Sequence, residues 1–177
     1  MQAYLYPYFG YFQLIKSVDK FVLYDDAKYI KGGWINRNNF PEPFTFRLKK
    51  HSDYAQISDC YFADIEKDKK LFKRKFPKLK AKYLDILEQD LDIACNCFKT
   101  LRLICDDLGI KTPFYFSSMI PHGKFVNGIL NIVKALGGDI YVNLPGGKSL
   151  YNQDQFGDIK LEFIETNPSP SILCELK

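Results

Sequence analysis

Apolar residues come in short bursts along this chain, and the period changes from burst to burst. Residues 1–6 form an apolar run stopped by Pro7, which reads as the end of a strand. Over 10–18, Phe12 and Ile15, with Tyr11 and Leu14, recur at helical spacing until Ser17-Val18-Asp19 closes the turn. Residues 20–24 make a compact strand followed directly by Asp25-Asp26. Strand, helix, strand in that order predicts a right-handed parallel crossover. The stretch 44–49 alternates strictly, predicting a half-exposed strand antiparallel to a neighbour within 34–40. Helices are expected over 66–76 and 78–90, with Pro77 at the break. Ile93, Cys97, Leu101, Ile104 and Leu108 mark one face of a third helix, ended by Gly109. Then come a strand over 113–118, a helix over 125–136 ended by Gly137-Gly138, and strands over 139–142 and 160–164. The fold class expected is α/β, a mostly parallel sheet with helices on both faces and a helical insertion around 65–90.

Composition narrows the classes. A chain of 177 residues, 46% hydrophobic and 26% charged, fits one globular domain with a proper core. A net charge of +4 is too small to imply nucleic acid, and the lysines of 67–82 read as a solvated helix face. Five cysteines without a CxxC pair argue against a disulfide framework or a zinc ribbon and for reduced thiols. No stretch is long and apolar enough to span a bilayer and no signal-peptide layout opens the chain, so a cytoplasmic location is expected.

Candidate chemistry gathers in the first forty residues, where the apolar period breaks. Asp25 and Asp26 follow a strand, at the carboxyl end where open α/β sheets bind ligands. They suit a substrate amine, a divalent metal or a base; the alternative is a turn cap. Trp34, Asn36, Arg37 and Asn38 form a second group. Arg37 offers a fork for phosphate or carboxylate, the asparagines donate and accept, and Trp34 can stack on a ring; the alternative is a polar hairpin with an aromatic plug. The loop Leu144-Pro145-Gly146-Gly147-Lys148-Ser149 fails the P-loop spacing, since Val142 stands where the first Gly belongs. Gly146 and Gly147 still expose amides, so a weak anion site and a plain turn both remain open. His51 and His122 are expected at the surface or as caps, and nothing forms a Ser-His-Asp set.

The opening block is specific: Tyr4-x-x-Pro7-Tyr8-x-Gly10-Tyr11-Phe12-Gln13-Leu14-Ile15, then Tyr24-Asp25-Asp26, then Tyr29-Ile30-Lys31-x-x-Trp34-Ile35-Asn36-Arg37-Asn38. With these residues the chain resembles the WbqC-like family, often encoded among bacterial surface-polysaccharide genes, over nearly its whole length. Relative to that family it looks clipped at both ends, and Ala3 stands where Pro is usual. A more distant similarity is to nucleotidylyltransferases. Tyr8-Phe9-Gly10-Tyr11 occupies the place of their His-x-Gly-His, and Ser169-Pro170-Ser171-Ile172 that of their late Ser/Thr loop. It implies a Rossmann-like sheet, with Gly10 and a helix N-terminus approaching phosphate. Tyr in place of His removes a cation, which favours nucleotide or nucleotide-sugar binding over nucleotidyl transfer.

Together the residues and the resemblances imply a single-domain enzyme of surface-polysaccharide (O-antigen) or nucleotide-sugar metabolism. It would bind a phosphorylated or nucleotide-linked small molecule, and transfer of an acyl group to an amino sugar is the preferred reaction. Nucleotidyl transfer and a non-catalytic binding or assembly role are the alternatives. Asp25, Asp26 and Arg37 would be catalytic. Tyr8, Gly10, Tyr11, Gln13, Lys31, Trp34, Asn36, Asn38, Gly146 and Gly147 would hold the ligand. No protein-held metal is expected, Mg²⁺ could accompany a nucleotide, neither nucleic acid nor a membrane span is implied, and the oligomeric state stays open.

Overall fold

The computed structural model describes residues 1–166 and 169–176. Its backbone is organised around α4 (Ile93–Asp107), whose Ile93, Cys97, Leu101 and Ile104 are fully enclosed. Asp92 caps this helix by accepting from the Cys95 N–H at 2.9 Å. Gly109, at φ 68°, ends it in the left-handed conformation that suits glycine. Helix α1 (Phe9–Ser17) buries Tyr11, Phe12, Leu14 and Ile15, as its spacing predicts. Strand β1 (Phe21–Leu23) pairs in parallel with β4 (Phe114–Phe116), Phe21 opposite Phe114. On the other side of β1, Gln2 makes a parallel bridge with Tyr24. The segment before α1 and the strand after it are therefore parallel, as the crossover requires.

Strands β2 (Arg37–Asn39) and β3 (Pro43–Thr45) form the expected antiparallel hairpin. It stops earlier than the alternation of 44–49 suggests: the Phe46 N–H still meets Asn36 O in register, but the Arg47 N–H then goes to Asp68 Oδ2 at 2.7 Å and Leu48 bridges Phe62 instead, while the Phe46 ring stacks on Phe72 at 5.7 Å. Phe40, Phe44 and Phe76 complete this aromatic cluster against α2 (Ile65–Lys75). The helix expected over 78–90 shrinks to one turn, α3 (Lys82–Asp85). Side chains satisfy the backbone that follows: Asn96 accepts from Glu88 N–H and donates to Glu88 O and Leu91 O, and Gln89 links Phe62 O to Ile65 N–H. Beyond β4, α5 (Phe125–Ala135) leads to β5 (Ile140–Asn143), which pairs in parallel with β6 (Lys160–Phe163).

The architecture is mixed α/β with short sheets: two parallel pairs and one antiparallel pair, where the sequence suggests one mostly parallel sheet. A continuous Rossmann-like sheet does not form among the described residues. After the Gln2 bridge the first segment leaves β1, with the Leu5 N–H on Ile35 O and Tyr6 at φ 51°. A buried tyrosine in this region is strained by roughly 1–2 kcal/mol. Its carbonyl accepts from Asn38 Nδ2 at 2.6 Å and Ser171 Oγ at 2.8 Å, and its hydroxyl donates to Tyr83 O at 2.8 Å. A cleft of about 1900 Å³ separates the first segment and β1 from α5 and β5. Asn38→Ala removes donors from both Leu5 O and Tyr6 O. It should cost about 2–3 kcal/mol in urea unfolding, and a loss under about 0.5 kcal/mol would show that packing alone holds the bend.

Candidate functional site

Parallel pairing of β1 and β4 sets residues 25–26 beside 117–118 at the carboxyl ends of both strands. Asp25 is buried. Its Oδ1 accepts from Ser117 Oγ and from the Ser118 N–H, each at 3.0 Å, and its Oδ2 accepts from Ser118 Oγ at 2.6 Å. The Asp25 N–H donates back to Ser117 Oγ at 3.2 Å. Ser117 Oγ also lies 2.5 Å from Asp26 Oδ1, so its single hydrogen is shared between two carboxylates. Fully buried and committed in this way, Ser117 is a structural link and no nucleophile.

Asp26 faces the cleft, and its Oδ2 lies 3.3 Å from His122 Nε2. His122 Nδ1 sits 2.7 Å from Ile120 O, a contact that assigns the ring hydrogen to Nδ1. The sequence places His122 at the surface or as a cap, but its ring is enclosed, edge-on to Tyr24 at 5.5 Å. Two residues of α5 allow this. A Cβ on Gly128 would meet Gly123 O at 2.7 Å, and Asn131 Nδ2 donates to His122 O at 2.7 Å. Burial first, then the Asp26 charge, raises the pKa of Tyr24, which stays a neutral hydroxyl at physiological pH.

Cations and aromatic rings ring the mouth of the cleft. Trp34 is 53% exposed, and the Arg37 guanidinium lies 5.3 Å from its ring centroid. Lys28 stands over Tyr54, also at 5.3 Å. Lys124, Phe125 and Asn143 line the opposite wall. Phe125 is 86% exposed at φ 55°, a strained aromatic presented to solvent.

Tyr8, Asp26, Trp34, Asn38, Gly146 and Gly147 all line this cleft, and Arg37 joins it through Trp34. Asp25 sits one layer behind Asp26. Four other predicted residues lie elsewhere: Tyr11 is buried with its hydroxyl on Gln2 O at 2.9 Å, Gln13 is exposed on α1, Lys31 borders a separate hollow of about 380 Å³, and Asn36 is buried between the Tyr29 hydroxyl and Phe46 O. Gly10 is packed close on its Cβ side: an added Cβ would meet Tyr8 Cε2 at 2.4 Å and Thr166 Cβ at 2.7 Å. Gly147 is likewise filled, by Asn143 Nδ2 at 2.5 Å, whereas Gly146 is open.

Sequence reading passes over Ser117, Ser118, His122, Lys28, Lys124 and Asn143. One signal was available: Ser117-Ser118 ends an aromatic strand just as Asp25-Asp26 ends another. Among the described residues no group of three or more His, Cys, Asp or Glu side chains could hold a metal ion. Both Asp25 oxygens are occupied by serine and amide donors and those of Asp26 by Ser117 and His122, a donor set that does not fit a protein-held cation.

The two aspartates should separate experimentally. Asp25→Ala strands three donors and should cost about 3 kcal/mol in chemical denaturation, whereas Asp26→Asn, at a side chain 19% exposed that can still accept from Ser117, should cost about 1 kcal/mol or less. Equal losses would contradict the assignment of one to the scaffold and the other to the cleft.

A short stretch of 38 residues is 50% identical to an uncharacterized protein, Rv1507c, of Mycobacterium tuberculosis (strain ATCC 25618 / H37Rv). That match covers 22% of this chain and only 16% of the mycobacterial protein. No solved structure matches the chain. The resemblance carried by the Tyr-Asp-Asp and Trp-Ile-Asn-Arg-Asn blocks extends far beyond that stretch: the model of the WbqC-like protein family matches residues 2–172, and the chain belongs to this family.

Proposed function

We propose that the chain is an enzyme of surface-polysaccharide or nucleotide-sugar metabolism. In this reading it binds a phosphorylated or nucleotide-linked sugar in the cleft and transfers an acyl group to the sugar's amine. The observation that carries this is Asp26, a carboxylate at the ends of two parallel strands, facing the cleft and backed by Ser117 and His122. Such a group is suited to general-base work. As the amine nitrogen attacks the acyl carbonyl, the bond to the donor's leaving group breaks, and the amine's proton passes to the Asp26–His122 pair. Trp34 offers a face for a base or sugar ring, and Arg37, Lys28 and Lys124 supply positive charge for phosphates. Phosphate binding is assigned to these side chains and to Gly146, since Tyr8 and Thr166 fill the space at Gly10.

Calorimetry with a panel of nucleotides and nucleotide-linked amino sugars tests the reading. At least one should bind, Trp34→Ala and Arg37→Ala should each weaken it about tenfold, and neither should alter the melting midpoint appreciably. Asp26→Asn should retain affinity within about threefold while acyl transfer falls at least a hundredfold. Silence from the whole panel with folded protein would discard the ligand class. Binding without turnover by wild type would favour a non-catalytic role.

A further inference from the structure

Tyrosine is used in two ways in this fold. The hydroxyls of Tyr6, Tyr11, Tyr29 and Tyr83 each donate to a carbonyl or carboxylate oxygen of the protein. Those of Tyr24, Tyr141 and Tyr151 meet no partner among the described residues, and all three residues line the cleft. No unpartnered side-chain nitrogen or oxygen among the described residues is sealed from the surface, so these oxygens are open to the cleft. For packing alone phenylalanine would serve as well. The fold therefore does not account for the three hydroxyls.

Packing does fix where they stand. Tyr141 and Asn143 are two residues apart on β5 and share one face of the strand. The Tyr141 ring stacks on the buried Phe156 at 5.3 Å and 13°. Tyr151 meets both rings edge-on, 6.2 Å from Tyr141 and 5.9 Å from Phe156. The turn over 145–149 returns Tyr151 to this position, its N–H donating to Gly147 O at 3.0 Å. Tyr24 arrives from the end of β1, edge-on to His122. The three phenols also sense one another. Burial, then Tyr151, then Tyr24 raise the pKa of Tyr141, and Tyr151 adds to the rise at Tyr24 after burial and Asp26. Mutual influence of this kind gathers the oxygens around one space, and each phenol stays neutral at physiological pH.

Asn143 adds a fourth group. It is 6% exposed, and its Oδ1 accepts from the Leu144 N–H at 2.7 Å. Its Nδ2, beside Gly147 on the cleft wall, has no acceptor among the described residues. A buried amide donor left in this state marks a place for an acceptor. Three phenolic hydroxyls and one amide thus face a common space next to the Asp26 carboxylate, and all four are uncharged. Phenols both donate and accept, which suits the hydroxyls of a sugar, whereas phosphate is better met by the cations of the mouth.

We infer that Tyr24, Tyr141, Tyr151 and Asn143 form a subsite for an uncharged sugar ring, holding its hydroxyls so that an amine on the ring meets Asp26. The inference rests on the sugar-binding reading above and divides the ligand between two places. The ring lies against the phenols, and Trp34 and Arg37 are left for the base and the phosphates. A specificity follows. The Asp26 charge opposes further negative charge near Tyr24, so a ring that bears a carboxylate is rejected in favour of a neutral one.

Isotopic labelling of the tyrosine rings with NMR detection gives the test, each signal being assigned from its Tyr→Phe variant. The probes are methyl glycosides of amino hexoses differing in the position of the amine, with methyl glucuronide as the anionic comparison. At least one amino sugar should shift the Tyr24, Tyr141 and Tyr151 signals saturably, and the glucuronide should bind at least about tenfold more weakly. Tyr141→Phe and Tyr151→Phe should each weaken the amino sugar about fivefold and leave the melting midpoint unchanged, since no protein hydrogen bond is lost. Asn143→Asp keeps the acceptor for the Leu144 N–H, loses the donor, and should weaken binding likewise. A drop of several degrees in either Tyr→Phe variant would make the hydroxyls structural and overturn the subsite. Unmoved tyrosine signals while a nucleotide still binds would overturn it too, and would leave the ligand class intact. Where free glycosides are too weak to saturate, both Tyr→Phe variants should lower the affinity of a nucleotide-linked amino sugar and spare that of the bare nucleotide. An equal effect on both, or none, counts against the proposal. Sugar binding with every nucleotide silent would support the subsite and discard only the nucleotide link.

Discussion

The candidate site depends on one buried carboxylate. Asp25 takes hydrogen bonds from both Ser117 and Ser118 and returns one from its own amide, tying the carboxyl ends of β1 and β4 together. The two strands have only three residues each, and so short a ladder is a weak clamp. The tie substitutes for ladder length. Because Asp25 turns inward, Asp26 turns toward the cleft, and because Ser117 is fixed, the backbone after it delivers His122 to the same carboxylate. A charged side chain is used for structure, and its neighbour is left to face the cleft. Breaking such a network by removing one member is costly, since the others are left buried without partners.

The opening forty residues look like one site in sequence, and the structure divides them into site and scaffold. Tyr6, Tyr11, Tyr29 and Asn36 are buried, with polar tips spent on Tyr83 O, Gln2 O, Asn36 and Phe46 O. Tyrosine can fill a core and satisfy a backbone carbonyl at once, so an excess of tyrosine does not by itself distinguish function from packing. Asn38 does both, lining the cleft while fixing the carbonyls of Leu5 and Tyr6. What the sequence could discriminate was position after a strand. Asp25-Asp26 stands out that way, whereas the Trp34–Asn38 block stands out by its density of distinct donors and acceptors.

Element identity was legible where periodicity was long. Helices α1, α2, α4 and α5 fall within a residue or two of expectation because each ends at a recognisable stop, and α1 and α4 also bury a stripe read directly from spacing. Residues 86–92 were not legible, since Asn96 and Gln89 replace the helical ladder there through contacts far apart in sequence. His122 was missed for a similar reason. Nothing near it suggests chemistry, and its partner is 96 positions upstream across a parallel pair, a distance given by 122 minus 26. A phosphate role for Gly10 was a reasonable local inference that long-range packing by Thr166 removes.

The same logic applies to the sheet. Alternating strands and helices lead to an expectation of one parallel sheet, and the structure returns two parallel pairs separated by a trough. Strand identity is a local property, whereas sheet continuity requires every edge to find a neighbour. Helices α1 and α5 present apolar residues to the trough from two sides, which is how helices normally cover the faces of a sheet. Water in that inner part would face leucine, isoleucine and valine. The polar mouth, by contrast, gathers its rings and charges around Asp26. Physical chemistry thus separates one continuous cleft into an apolar inner part and a polar mouth, and only the mouth sets charged and hydrogen-bonding groups beside Asp26.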